Sequence, residues 1–393
     1  MTLTTLTLTR TFDATPKAVY RAFTTSAGLL EWAANSSDLD PRVGGRLFLW
    51  SEKGFQLMGT FTELEPEKRV AFDLHTPSPS SVTVIIRSEN GLVTLLLEHH
   101  LAEEKVTEYR ARWESALDNL KSILETGLDR RFYDRPMLGV LIAGQVDKEI
   151  QVRMSLPVAH GILLGGTVPG MGAEAAGLVE NDVLIEMDGI SLKSYHDLHV
   201  AITPHKAGDT VHLTWARGRE RCEADMILSG RTPPYIPATP AELAEKTQSL
   251  YAPLDAALAE ILEGATEEEA EYRPAENEWN AKEIIAHLIT SERTLQVWIA
   301  NTLEGQFFEA WATNNHPLVK SIVDIYPTLP HLMAELRRTE GQTVALLQRL
   351  PPEILDYKGA YHNIVAYVSK DGQLVHTHLH YESIKNLLTE ARK

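Results

Sequence analysis

"GAEAAGLVENDVLIEMDGISLKSYHDLHVAI", residues 172–202, packs several reversals of backbone direction into one short run. Gly177 follows a short helical turn at AEAA, where a C-capping glycine belongs. Asp188-Gly189 is a hairpin dipeptide set between VLIEM and ISL. Tyr195–Ile202 then reads as a helix, and TVHLTWARG and RCEADMILSG beyond it as closing strands. Short strands around one small helix make a self-contained, mostly-β domain.

Two breaks bound this domain at about residues 135–232. On its N-terminal side, WESALDNLKSILETGLDRRFYDRP is a helical pattern that ends in a basic cluster and Pro136. On its C-terminal side, SGRTPPYIPATP (229–240) places four prolines in a dozen positions. Such a stretch can neither join a sheet ladder nor continue a helix, so it reads as a linker.

At 393 residues the chain is long enough for two or three domains. Apolar residues make up 44% and charged residues 23%, the balance of globular material. A formal net charge of −17 with no basic stripe argues against nucleic acid as a partner. The single cysteine, Cys222, excludes intramolecular disulfides and multi-thiolate zinc sites. MTLTTLTLTRTFDATP alternates Thr and Leu, so it reads as a strand and not as a signal peptide. No stretch reaches membrane-spanning length, and the cytoplasm is the expected compartment.

The central domain resembles the PDZ domains of HtrA-type proteases. Their usual Gly-Asp before the central strand is Asn181-Asp182 here. No GNSGG-like nucleophile stretch occurs in the chain, so the resemblance implies a binding module and not a peptidase. It further implies that Met137-Leu138-Gly139-Val140 is the loop that receives a peptide C-terminal carboxylate. The peptide would add a strand to the sheet edge, with its last side chain in a pocket lined by Leu138, Val140, Leu198 and Ile202. The competing expectation is a groove filled by a neighbouring segment of the same chain.

The first segment, about 1–130, opens with the two-residue period of a half-buried strand. TPKAVYRAFTT reads as a helix, with Thr15 as N-cap and Pro16 at its first position. DPRVGGRLFLW, FQLMGTFTELEP, RVAFDLHT, SVTVIIRS and GLVTLLLEHHL supply a run of strands. A closing amphipathic helix carries Trp113, Leu117, Leu120, Ile123 and Leu124 on one stripe. His99 and His100, adjacent on a strand, face opposite sides and cannot share a site. TPKAVYRAFT, LLEWA, VGGR at 43–46, MGTFTELEPEKRVAF and WESALDNLKSIL resemble the SRPBCC (START-like) superfamily, in the branch homologous to the activator of the heat-shock-protein-90 ATPase. That implies an α+β helix-grip fold around a cavity for a small apolar ligand. The alternative is that the same residues simply fill a core.

The third segment, about 238–393, is helical. TPAELAEKTQSLYAPLDAALAEIL starts with a capping box, Thr239 to Glu242, and Pro240. NEWNAKEIIAHLITSERTLQVWIANTL starts with Asn280 as N-cap, Glu283 three residues on, and Trp279 placed to staple onto Ile284. With TLPHLMAELRRTEGQTVALLQRL and GQLVHTHLHYESIKNLLTEARK, these helices suggest a four-helix bundle. In the last helix His376 and His380 lie about 40° apart on the stripe that carries Ile384 and Leu387, and His378 faces away. A third imidazole, His287 in IIAHL, also sits on an apolar stripe. Three such rings with an open position suit zinc or nickel. A lone buried histidine is more often just hydrogen-bonded. The spacing resembles the DinB family of metal-binding four-helix bundles, in which a tryptophan precedes the second helix, an AHL histidine lies on it, and an H-x-x-x-H pair lies on a later one. Relatives of that fold include metal-dependent transferases and isomerases that use a low-molecular-weight thiol. Glu283 and Glu382 fall near the expected ligands without an assignable role.

Three functional expectations follow from these three modules. The first is an adaptor or sensor that binds peptide C-termini and small ligands. The second is a metal-dependent thiol transferase acting through the third segment. The third is a co-chaperone of the ATPase-activator type.

Overall fold

The computed structural model describes residues 2–51, 55–276, 278–306, 316–369 and 373–393. It divides into two compact units: residues 1–128 with 234–393, and residues 129–233.

In the first segment, β1 (Leu3–Phe12) precedes α1 (Pro16–Thr24) and α2 (Ser26–Trp32). Then come β2 (Ser36–Leu39), β3 (Arg46–Ser51), β4 (Phe55–Glu65), β5 (Arg69–Thr76), β6 (Ser80–Glu89) and β7 (Leu92–Ala102), closed by α3 (Val106–Thr126). The strands form one antiparallel sheet in the order β1-β7-β6-β5-β4-β3-β2. Along β7 every second side chain is buried, Val93, Leu95, Leu97, His99 and Leu101, as a period of two dictates. Leu117, Leu120, Ile123 and Leu124 of α3 are buried in the same core, and Gly127 ends α3 at φ +77°, a left-handed cap. Thr15 caps α1, accepting a hydrogen bond from the Ala18 N–H. The sequence reading has neither α2 nor β2. Both are short, and β2 (SSDL) lacks the apolar alternation that marks its neighbours.

The second unit contains α4 (Arg130–Tyr133), β8 (Val140–Gln145), α5 (Lys148–Met154), β9 (Ile162–Thr167) and α6 (Gly172–Ala175). It continues with β10 (Val183–Met187), β11 (Ile190–Ser191), α7 (Tyr195–Ile202), β12 (Thr210–Arg217) and β13 (Glu220–Ile227). The sheet order is β13-β12-β10-β9-β8, with β11 paired to β10, so β8 is an edge strand. Asp188 and Gly189 have φ +48° and +80°, the left-handed pair a tight hairpin demands. Asn181 stands at φ +69°, a conformation asparagine tolerates almost as glycine does, which explains how Asn-Asp replaces Gly-Asp. Its neighbour Asp182 is fully buried, is paired with Arg217 at 2.7 Å and accepts the Val179 N–H.

The third segment comprises α8 (Pro240–Ile261), α9 (Glu267–Ala270), α10 (Ala281–Leu303), α11 (His316–Ile325), α12 (Leu329–Gln348), α13 (Lys358–Val368) and α14 (Gln373–Ala391). Asn280 and Glu283 form the expected reciprocal capping box. The expected box at Thr239 is only half made. Thr239 accepts the Glu242 N–H, but the Glu242 carboxylate takes the Ala238 N–H and the Tyr235 hydroxyl instead. The four long helices, α8, α10, α12 and α14, are joined by α13, which the sequence reading lacks. Its buried face, Ala360, Tyr361, Ile364, Val365 and Val368, is apolar enough to need a partner.

Helix α13 helps to join the first and third segments into one unit. The Lys358 ammonium donates to the Glu125 carbonyl at 2.9 Å, and the Ala27 N–H donates to the Gly305 carbonyl at 3.1 Å. Tyr357 lies under the Arg21 guanidinium, 4.8 Å from ring centroid to Cζ, while Arg21 holds Glu31 at 2.8 Å. A Cβ at Gly359 would come within 2.7 Å of a Glu31 carboxylate oxygen and 2.8 Å of Ile123. Only glycine fits there without displacing one of them.

Candidate functional site

The bundle's site grows from the start of α10. The Asn280 cap fixes the first turn, and Glu283 is committed twice over. Its carboxylate accepts the Asn280 N–H and two bonds of 2.6 Å from Arg273. Burial alone would raise its pKa, but these donors outweigh burial and hold the carboxyl below its ordinary range. Glu283 is therefore a positioning group and not a general base. Glu382 is exposed on α14.

One turn beyond Glu283, His287 is 1% exposed. Its ring lies 4.9 Å from the Trp279 ring and 4.9 Å from the His380 ring, centroid to centroid. His287 and His380 reach this point from different helices, α10 and α14. Two imidazoles bound to one zinc through bonds of about 2 Å would have centroids roughly 5 Å apart, so the spacing fits a shared ion. His376 lies one turn before His380 in α14, but its side chain, like that of His378, lies outside the described residues. Among the described residues no three His, Cys, Asp or Glu side chains form a group that could hold a metal.

His380 opens onto a cleft of about 600 Å³ whose lining includes Trp279, Ile284, His316, Asn386 and Leu387. His316, at the start of α11, is absent from the sequence reading; its ring stands 6.0 Å from Trp279, edge to face. The only local hint of it is the His-Pro step where a helical pattern resumes.

Deeper in the bundle, three carboxyls from three helices meet: Asp255 of α8, Glu292 of α10 and Glu340 of α12. Glu292 accepts hydrogen bonds from the Tyr251 and Thr343 hydroxyls. Burial pushes Glu340 up to about 9, and the charges of Asp255 and Glu292 push the same way. Burial likewise raises Asp255 and Glu292. No periodicity argument finds this cluster, because polar residues on a helix read as its solvent face.

In the second unit, Met137 bridges to Ser229 through two backbone hydrogen bonds of 2.8 and 2.9 Å. Leu138 and Leu198 are buried in the unit's core, and Val140 and Ile202 pack against it half-buried. Gly139 has φ +81°, and a Cβ there would stand 2.4 Å from that of Met171. Edge strand β8 begins at Val140 and leaves Leu141 and Ile142 exposed.

In the first segment His99 is fully buried, and its Nδ1 accepts the Trp113 indole N–H at 3.1 Å. Burial, with a smaller contribution from His100, lowers its pKa to about 4. His100 faces the other side and bonds Thr5, the alternation expected of adjacent strand residues.

Comparison with known proteins follows the same divisions. Residues 13–125 match the family of Activator of Hsp90 ATPase homolog 1-like proteins, residues 149–228 the PDZ domain, and residues 250–383 the DinB superfamily. The PDZ match begins after the 137–140 loop. A curated relative, the serine protease Do-like HtrA of Lactococcus lactis subsp. lactis (strain IL1403), is 30% identical over 102 residues. That stretch is 25% of this chain and 25% of the relative, so the chain spans about a quarter of the protease's length. The crystal structure of CalU16 from Micromonospora echinospora is 24% identical, with 30% of this chain and 73% of that one covered and a TM-score of 0.28. The solution structure of the Aha1 dimer from Colwellia psychrerythraea is 21% identical, over 32% and 98% of the respective chains, with a TM-score of 0.29. No described helix is long and apolar enough to cross a membrane. The chain is a multidomain protein that joins an activator-of-Hsp90-ATPase-homolog-like α+β region, a sheet-rich PDZ domain and a helical DinB-superfamily region.

Proposed function

We propose that this is a cytoplasmic adaptor or sensor in which a PDZ groove captures a peptide C-terminus while a histidine site in the bundle holds a divalent ion, zinc or nickel. The observation that carries the metal reading is the meeting of His287 and His380, from separate helices, beside an open cleft that His380 lines. His376, one turn from His380, supplies the third imidazole. A bound ion would act as a Lewis acid and lower the pKa of a coordinated thiol or water. Around it the protein's own residues have clear tasks. Trp279 and Ile284 exclude water from one side, and Arg273 with Asn280 fixes Glu283 and thereby the start of α10. In the PDZ groove Gly139 lets the loop turn, and Leu138 and Leu198 provide apolar walls. In the START-like region the ligand is a small apolar molecule held between the sheet and α3.

The open cleft also supports a second reading, a metal-dependent transferase acting on a low-molecular-weight thiol. The test is metal analysis of the purified chain beside His287→Ala, His376→Ala and His380→Ala. One divalent ion per chain, lost in each variant with the fold retained, supports the site, and turnover of an electrophile with a thiol would then favour the transferase. Full metal content in all three variants would refute the assignment. A peptide library that yields no preference for apolar C-termini would refute the adaptor function.

A further inference from the structure

His99 lies on the face of β7 that meets α3, fully buried, with Leu6 of β1 and Val82 of β6 on either side of it in the sheet. Its Nδ1 accepts the Trp113 indole N–H at 3.1 Å. An indole only donates, so Nδ1 supplies the lone pair and the proton of the neutral ring sits on Nε2. Burial keeps the ring neutral, with a pKa of about 4. The Nε2 N–H is therefore a donor shut off from water, and it has no acceptor among the described residues. Native interiors rarely leave such a donor unmade. The aromatic neighbours on α3 do not serve it. The Trp113 nitrogen is itself a donor, and the Tyr109 hydroxyl is engaged with Ser78. Other buried polar side chains of the segment are satisfied by backbone: Asn119 donates to the Trp32 carbonyl, Ser37 to the Ser26 carbonyl and Thr24 to the Tyr20 carbonyl. Around His99 the layer is aliphatic, with Leu95, Leu97, Leu101, Leu117 and Leu120 buried in it. Lys105, Arg110 and Arg112, at this end of α3, pair with Glu108 and Glu114 at the surface. An anion inside the layer would have no counter-charge, which makes its burial costly.

We infer that the ligand of this region is a neutral molecule with an apolar body and a carbonyl oxygen, and that this oxygen accepts from the His99 Nε2 N–H. The inference rests on the reading of the START-like region as a ligand site. To apolar shape it adds one requirement, a hydrogen-bond acceptor, and it excludes carboxylates.

Acetophenone, α-methylstyrene and benzoate share one shape and differ at one group: a carbonyl, a methylene and a carboxylate. Each is titrated at pH 7 by ligand-observed NMR into the full chain, as parent, His99→Phe and His99→Gln. Comparing the acetophenone to α-methylstyrene affinity ratio between proteins cancels the different hydrophobicity of the two probes. That ratio should fall about ten-fold in His99→Phe. It should stay within about three-fold of the parent in His99→Gln, because a glutamine accepts from Trp113 and still donates. Benzoate should bind the parent at least about ten-fold more weakly than acetophenone. In the parent with nitrogen-15 in its imidazoles, acetophenone should move the His99 Nε2–H proton downfield and α-methylstyrene should leave it in place, a readout that needs no variant. An unchanged ratio in His99→Phe, an Nε2–H signal that ignores acetophenone, or tighter binding of benzoate overturns the inference. A parent that binds none of the three refutes the ligand reading itself.

Discussion

Replacing Glu340 by glutamine should stabilise the bundle at neutral pH and leave it unchanged under mild acid. The Glu340 carboxyl is 5% exposed, beside Asp255 of α8 and Glu292 of α10 and above Arg337 of its own helix, with the Tyr251 and Tyr381 hydroxyls the remaining titratable groups nearby. Folding lifts its pKa from 4.5 to about 9, so the native state keeps a proton that the unfolded chain releases above pH 4.5. In that window each pH unit costs about 1.4 kcal/mol of stability. At pH 5 the cost is below about 1 kcal/mol, and by pH 7 it reaches roughly 3 kcal/mol. The three carboxyls titrate together, so the loss belongs to the cluster. A glutamine keeps the shape of the protonated acid, donates as it does and cannot ionise. Urea unfolding followed by circular dichroism, at pH 5, 7 and 8.5, should therefore place parent and variant within about 1 kcal/mol of each other at the lowest pH, with a gap that widens upward. Parallel profiles, or a variant less stable than the parent at pH 7, would refute the protonated-carboxyl account.

Other perturbations are simpler. Arg21→Ala leaves the Glu31 carboxylate buried without its partner, and the joined first and third segments should lose about 3–5 kcal/mol in denaturant titration. His99, with a pKa near 4, should remain neutral in NMR titrations through pH 5.5. Its reluctance to charge should cost the first segment stability only as pH falls from 6.5 through 4, and His99→Phe should flatten that limb of the profile. Gly139→Ala combines a left-handed φ with a Cβ 2.4 Å from that of Met171. Calorimetry should show a destabilised second unit, and peptide capture should drop at least about ten-fold. Asn181→Gly keeps the left-handed turn, so its stability should stay within about 1 kcal/mol of the parent.

Much of the fold was legible because its local signals agree with its tertiary demands. Asp188-Gly189, Gly177 and the Tyr195–Ile202 helix stand where turn chemistry and periodicity put them. His287 was legible too, since an imidazole on the Ile284–Leu288 stripe must point inward. What stayed hidden depends on contacts distant in sequence. The Arg21–Glu31 pair carries no sequence signal, because what covers it, Tyr357 and Gly359, lies more than three hundred residues away. Glu292 and Glu340 escape a periodicity argument, which assigns polar residues to water, while here Glu292 accepts from the Tyr251 and Thr343 hydroxyls and Glu340 is hydrogen-bonded to Asp255. His316 lies outside any apolar stripe and joins the cleft only because α11 begins beside Trp279.

The account's central claim is that three imidazoles from two helices hold one ion. X-ray absorption fine structure of the zinc-loaded chain counts them directly. The expected spectrum has three histidine nitrogens at about 2.0 Å plus one light-atom ligand, with one imidazole missing from any zinc retained by His380→Ala. A first shell of oxygens alone, or an unchanged imidazole count in that variant, would contradict it.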